Sequence, residues 1–229
     1  MDDVPAVTLH VWGVPVRAVP AALGRMAWDR LHLPRTGARF TRLLGTGHGR
    51  TFSVRDADPR HWAVLATWDD DAAADAFEGS PTVHGWDRLA DERLTLRLRP
   101  LASRGQWSGR RPFGDPRPRR ATGAVASLTR ARIRPGKALA FHRAVPPVSA
   151  DLSRTGGVRL ALGIGEAPVG LLGTFSVWES AEALTEFAHR RNPHTEVIRQ
   201  TARQGWYAEE LFARFDVLGI TGTLGGRRV

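Results

Sequence analysis

The sequence predicts an α+β chain in which a βαββαβ unit, the ferredoxin-like arrangement, occurs twice in tandem. Three observations carry this. Each half alternates apolar and polar residues in four strand-like segments, with helical periodicity after the first and after the third. The punctuation recurs in register: Gly45-Thr46-Gly47 is echoed by Gly163-Ile164-Gly165 and Trp68 by Trp178, each tryptophan nine residues before a phenylalanine (Phe77, Phe187), in a helix that a proline (Pro81, Pro193) then interrupts. Between the repeats lies a stretch rich in Pro, Gly and Arg. The expected organisation is a first half over residues 1–101, a linker over 102–122 and a second half over 123–229. Two such halves, packed face to face or closed into one barrel, leave a cavity between helices and sheet.

Residues 6–14 form the first predicted strand, with Val7, Leu9 and Val11 opposing Thr8, His10 and Trp12. A helix follows over 19–31, where Leu23, Met26, Ala27 and Arg30 fall at helical offsets, and Pro34 ends it. Strands are predicted at 39–45 and 61–68, on either side of a loop containing His48. Asp69 to Phe77 begins a helix whose acidic start suits the helix dipole. Gly79-Ser80-Pro81 interrupts it, helix resumes to about 91, and 93–100 is a strand with Leu94, Leu96 and Leu98 on one face. The linker carries Trp107 and Phe113, which are unusual in a solvent-exposed tether. They are expected to anchor it to one half or to form a pocket wall. The second half reads as strand 124–133, helix 136–144, strands 158–164 and 170–178, helix 180–189 and a last strand 212–220.

Composition narrows the chemistry. The 229 residues are 42% hydrophobic and 24% charged, as in soluble globular proteins, and no apolar run is long enough for a membrane helix. The acidic start, MDDVPAVTLH, lacks the features of a signal peptide, so a cytoplasmic protein is expected. With no cysteine there is no disulfide, zinc–thiolate site, iron–sulfur cluster or thiolate-ligated haem. The net charge of +10 is almost all arginine, Lys137 being the sole lysine. The arginines are scattered, and no nucleic-acid-binding signature accompanies them.

The stretch from Trp178 to Phe215 holds the most pointed signal. Asn192-Pro193 breaks its helix, because proline lacks an N–H and disfavours α geometry in the preceding residue. In the helix that restarts at His194, the residues His194, Val197, Ile198 and Thr201 share one face. An imidazole on such a stripe has two readings: a core histidine that is simply satisfied, or an axial ligand held rigidly against an apolar cavity for a haem iron.

The segments GQWSGRRPF (105–113), LTRARIRPG (128–136), LGIGE (162–166), TFSVWES (174–180) and NPHTEVIRQTARQGWYAEELFARFDVLG (192–219) resemble the spheroidene monooxygenase family, as do LLGTG (43–47) and VLATWDDDAAADAF (64–77). The resemblance implies a dimeric α/β barrel-like unit within one chain and a haem-dependent monooxygenase that oxidises an apolar carotenoid with oxygen or peroxide and an external electron donor. On this resemblance His194 matches the histidine of the family's N-P-H stretch and takes the role of proximal haem-iron ligand; His189 and His84 are the nearest competitors. Arg130, Arg134 and Arg214 are candidates to neutralise haem propionates or to form ordinary salt bridges. Phe141, Trp178, Trp206 and Trp107 are candidate pocket linings that also read as core. Rival readings are a haem enzyme acting on a nitrogen-containing substrate, as a dehydratase or by N-oxidation, a cofactor-free ferredoxin-like oxygenase, and a non-enzymatic haem-binding protein. No integral membrane span and no nucleic-acid partner is expected, and the chain is expected as a monomer or homodimer.

Overall fold

The computed structural model describes residues 4–47, 56–117, 119–134, 156–166, 173–189 and 207–229. Four strands of the first half, β1 (Ala6–Gly13), β2 (Phe40–Gly47), β3 (Ala57–Trp68) and β4 (Glu92–Gly105), enclose helices α1 (Val19–His32), α2 (Asp71–Glu78) and α3 (Pro81–Asp87) in the chain. The second half supplies β5 (Val125–Ile133), β6 (Val158–Gly165), β7 (Gly173–Trp178), α4 (Ala181–His189) and β8 (Tyr207–Gly222). All eight strands join in one closed antiparallel barrel, in the order β1-β3-β2-β6-β7-β5-β8-β4.

Around that barrel the first half runs β4-β1-β3-β2 and the second β8-β5-β7-β6, so in each half the fourth, first, third and second strands are neighbours. Two seams unite the halves. One is long, from Leu94↔Gly222 to Gly105↔Leu211 between β4 and β8. The other is short: Gly45↔Gly165, Thr46↔Ile164 and Gly47↔Gly163 between β2 and β6. Closure leaves the sheet with no free edge, which removes the unpaired backbone groups an open sheet exposes.

Strand alternation sorts the side chains. Val7, Leu9, Val11, Leu65, Leu94, Leu96, Leu98, Ala126, Leu128, Phe175, Leu211 and Phe215 meet inside the barrel as one apolar cluster. The opposite faces point outward, toward the helices. The predicted interruption at Gly79-Ser80-Pro81 separates two capped helices: Asp70 accepts from the Ala73 N–H at 2.8 Å, and Ser80 from the Val83 N–H at 3.2 Å. Ser180 accepts from the Ala183 N–H at 3.2 Å and starts α4 where the sequence places it.

The linker region is more ordered than its composition predicts. Strand β4 continues to Gly105, and Trp107 and Arg110 close a bridged turn. Trp107 and Phe113 are buried inside the barrel, the indole edge-on to Phe40 and Phe113 edge-on to Phe215. Hydrophobic burial at both aromatics anchors a segment that polar composition alone marks as loop. A second bridged turn, Leu224 to Arg227, follows β8 in the same way. Each strand leaves the sheet through a left-handed glycine. A Cβ on Gly105 would lie 2.1 Å from the Glu210 carbonyl oxygen, and one on Gly222 2.0 Å from that of Arg93. Among the described residues, no helix is long and apolar enough to cross a membrane.

Candidate active-site face of the second half

The two halves pair their strands in matching register, so their outer faces compare position by position. In the first half, Thr41, Ala66, Thr8 and Arg97 make one row across β2-β3-β1-β4; Leu43, Val64, His10 and Thr95 make the next; Gly45, Trp62, Trp12 and Arg93 the third. The corresponding rows across β6-β7-β5-β8 are Ala161, Ser176, Ser127 and Arg214, then Gly163, Thr174, Thr129 and Phe212. Ala131 stands where the first half has Trp12, and Gly163 where it has Leu43.

Bulk fills the first-half face completely. Trp12 stacks on Trp86 at 5.7 Å, His10 on Trp12 at 5.6 Å, and Trp68 lies 4.9 Å from Phe77. Helices α1, α2 and α3 contribute Ala22, Met26, Ala74, Phe77, Val83 and Trp86 to the same cluster. His10 is wholly buried, and its pKa falls to about 3, first because burial disfavours the charged ring and then because Arg93 and Arg97 repel it. Arg93 donates to its Nδ1 at 3.1 Å, so this imidazole is neutral with its proton on Nε2.

The second-half face is built differently. One end is closed by α4, where Leu184 and Phe187 pack on Trp178, Val125 and Leu101. There the Trp178 indole N–H donates to Ser176 Oγ at 2.9 Å, as Trp68 donates to Thr8 Oγ1 at 3.0 Å in the first half. Beyond that end the side chains are Ser127, Thr129, Ala161, Gly163 and Thr174. Ser127, Thr129, Ala161 and Thr174 are half-buried, whereas Thr8, His10 and Val64 are fully buried in the first half. The indole, imidazole and isobutyl groups of the first half are thus matched by Ala131, Thr129 and Gly163, which make a shelf of small, uncharged residues beside Trp178; Ala131 and Gly163 on it are buried and Thr129 is half-buried. Its β8 edge carries the exposed Arg214 and the half-buried Phe212.

At one mouth of the barrel, charges cross between the halves. Glu209 accepts from the Ser108 and Gly109 N–H groups at 2.9 Å each and pairs with Arg130. Burial pushes its pKa up, but the backbone and arginine hydrogen bonds outweigh this and hold it below the usual carboxylate range. Glu166 bridges Arg42 at 2.9 Å and Arg130 at 3.6 Å, and it accepts from the Trp107 indole N–H. Glu92 does the corresponding work at the other turn, accepting from the Gly225 and Gly226 N–H groups at 3.0 and 3.1 Å. Its partner there is His61, at 2.8 Å, which also binds Asp58 at 2.6 Å. The hydrogen bond to Asp58 raises the His61 pKa; burial opposes it, and Glu92 adds to the rise.

The sequence-predicted site residues divide accordingly. Trp178 lies beside the open shelf, and Arg214 lies on its β8 edge. Arg134 follows β5 and donates from Nε to the Tyr207 carbonyl at 3.1 Å. Arg130 points inward, 3% exposed, with its guanidinium engaged by Glu209 and Glu166. Trp107 is inside the barrel, its ring 5.3 Å from the Arg130 guanidinium. His194, Phe141 and Trp206 lie outside the described residues. His84 is exposed on α3, and His189 ends α4. Sequence reasoning missed Glu166, Glu209 and the small residues of the shelf. The shelf has a signal in the two matching strands β1 and β5, where TLHVW (8–12) stands against SLTRA (127–131).

No protein-family model matches the chain. Spheroidene monooxygenase of Rubrivivax gelatinosus is 38% identical over 230 aligned positions, spanning 100% of this chain and 84% of that protein. The Rhodobacter capsulatus protein of the same name is 36% identical over 92% of this chain and 88% of its own length. The chain belongs to the spheroidene monooxygenase family. The Cereibacter sphaeroides member is 34% identical over 90% of this chain, which spans 64% of that longer protein. Two crystal structures of aldoxime dehydratase, one in complex with butyraldoxime, share the fold. Their TM-scores are 0.62 and 0.63 at 15% and 13% identity, over 95% of this chain and 83% and 81% of theirs.

Proposed function

We propose that the chain is a haem-dependent monooxygenase that oxidises an apolar, carotenoid-type polyene at the outer face of its second half. Family membership supports the reaction class and the substrate class. The observation that carries the location is the contrast between the two outer faces: side chains fill one, and the other is a shelf of Gly, Ala, Ser and Thr. Those residues fit a flat macrocycle, because none is charged and none projects beyond a short side chain, while Arg214 stands at the edge where carboxylates would emerge. Two tandem ferredoxin-like repeats account for the matched strand order and for the paired turns, with the second repeat specialised for the cofactor.

His194 is the proposed iron ligand, and Phe141, Trp178 and Trp206 are proposed to line the pocket. Arg134 and Arg214 are proposed to meet propionates; Arg130 would have to release Glu209 to join them, and Trp107 would act from the barrel interior. Haem, when bound, supplies an iron centre able to activate oxygen or peroxide, with electrons from an external donor. The chain's own residues do the rest. The shelf excludes water from an apolar substrate, Trp178 and α4 wall one end, and a neutral imidazole at position 194 presents a nitrogen lone pair.

The absorption spectrum of protein produced with iron and a haem precursor tests this reading. A Soret band that His194→Ala abolishes or displaces is the expected result. Colourless protein that still oxidises a carotenoid would end the haem assignment, and a spectrum unchanged in His194→Ala would end the ligand assignment.

A further inference from the structure

Helix α1 shows an unusual outer surface. Its exposed positions are Pro20, Ala21, Leu23, Gly24, Ala27, Trp28, Arg30 and Leu31, so Arg30 is the one charged residue among them. The helix's only carboxylate, Asp29, is buried and tied to Arg25 and to the Trp86 indole N–H. Leu31 is 70% exposed, Trp28 58% and Leu23 45%, and Val16, just before the helix, is 72% exposed. These side chains are on the opposite side of α1 from Ala22 and Met26, which pack on the first-half face, and Arg30 among them donates to the Glu166 carbonyl. Single exposed apolar residues need no explanation, but a tryptophan and leucines sharing one helical surface mark a contact site.

The exposed charges on the helix and directly flanking it in the chain, Arg17, Arg30 and Arg35, are of one sign, whereas the exposed acids Asp69, Asp70, Asp71 and Asp75 belong to α2 and the turn before it. Arg17 and Arg35 flank it, both exposed, and neither pairs with a carboxylate among the described residues. Beside it, between α1 and the start of α2 and α3, runs a groove of about 420 Å³ whose walls include Arg25, Trp28, His32 and Arg35. Trp28 and His32 stack there with ring centroids 4.1 Å apart. A second copy packed α1 to α1 would set arginines against arginines with no exposed acid on the helix to meet them, and the net charge of +10 works against self-association. A layer of phosphates above hydrocarbon matches both features: the arginines meet the phosphates, the leucines enter the acyl boundary, and tryptophan sits at the interface between them.

We infer that α1 is a membrane-docking helix, which seats the protein in the plane of an anionic phospholipid bilayer through Leu23, Trp28 and Leu31, with Arg17 and Arg35 on lipid phosphates. This goes beyond the proposed oxygenase activity and stands without it. An apolar polyene dissolved in such a bilayer would reach the enzyme without crossing water.

Flotation with vesicles tests the docking, one set of phosphatidylcholine alone and one mixing it equally with phosphatidylglycerol. The chain is expected to float with the anionic vesicles and not with the neutral ones, and added salt is expected to weaken the association. Arg17→Ala and Arg35→Ala are each expected to lower the affinity about fivefold, and Trp28→Glu combined with Leu31→Glu to abolish flotation. Because all four side chains are exposed, circular dichroism should show the variants folded. Failure of the wild-type chain to float overturns the inference, as does undiminished flotation of the Trp28/Leu31 variant. A concentration-dependent dimer that the same two substitutions dissolve would assign the face to a second copy and overturn it equally.

Discussion

The outer faces of the two halves occupy matching places on one barrel, and they differ in what they leave room for. Over the first half, Trp12, Trp62, Trp68, Trp86, Phe77 and His10 pack to complete burial beneath three helices. Over the second, Trp178 is the tryptophan among the described residues, at the end covered by α4, and the positions matching His10, Trp12 and Leu43 are Thr129, Ala131 and Gly163. The same strand pairing therefore supports a hydrophobic core on one side and a candidate binding surface on the other.

That contrast sets the size of each expected mutational effect. Trp86→Ala should be the most damaging, costing about 3–5 kcal/mol, because it empties a wholly buried site and leaves Asp29 without the indole N–H that reaches it at 2.8 Å. Urea unfolding measures this, and a loss well below that range would mean the first-half face is less tightly packed than its burial implies. Ser176→Ala should cost about 1–2 kcal/mol, since the buried Trp178 N–H then has no acceptor at 2.9 Å. Thr129→Val, on the half-buried shelf, should change stability by less than about 1 kcal/mol. If Thr129→Val destabilised as much as Trp86→Ala, the two faces would be equally packed and the comparison would fail.

The paired turns sharpen the comparison through pH. Glu209 pairs with an arginine, Arg130, whereas Glu92 pairs with a histidine, His61. The folded-state pKa of His61 is raised. Its contribution is therefore complete below the unfolded value near 6.5 and is lost as pH rises through the folded value. Glu92 is lowered, so its contribution is complete above the unfolded value near 4.5 and is lost as pH falls through the folded value. The turn after β8 should accordingly loosen as pH rises above the unfolded value near 6.5 and through the raised folded value, by about 1 kcal/mol, an amount ordinary for a partly exposed pair. His61→Gln should remove that alkaline decline. Urea midpoints across pH decide it, and an unchanged decline in the variant would assign the titration to another group.

Much of this architecture was legible in the chain. Alternation located the strands, and Trp68 with Phe77 and Trp178 with Phe187 meet in the same way in the two halves, whereas the Gly-x-Gly segments are offset by two residues: Gly163 lies across from Thr174 as Leu43 lies across from Val64. The start of α4 at Ser180 was readable because a cap is decided within one turn. Closure of the barrel was left open, because the β2–β6 seam has only three residue pairs and neither strand marks its partner. The ordering of 105–113 was hidden for a similar reason: Trp107 and Phe113 sit in polar, glycine-rich sequence, and what holds the turn is Glu209, a hundred residues away. Of the site, Trp178 and Arg214 are at the shelf. The shelf itself is written in residues that are absent by comparison with the first half, and a search for reactive side chains passes over such positions.

The central claim is that the small-residue face of the second half is the proposed cofactor's seat, and transplanting the first-half residues onto it is the most direct test. The variant Thr129→His/Ala131→Trp/Gly163→Leu rebuilds the packed face at matching positions. The account predicts wild-type circular dichroism with no Soret band, and an undisturbed Soret band in the parallel variant Thr8→Ser of the first half. A folded triple variant that binds haem as the wild type does would contradict it.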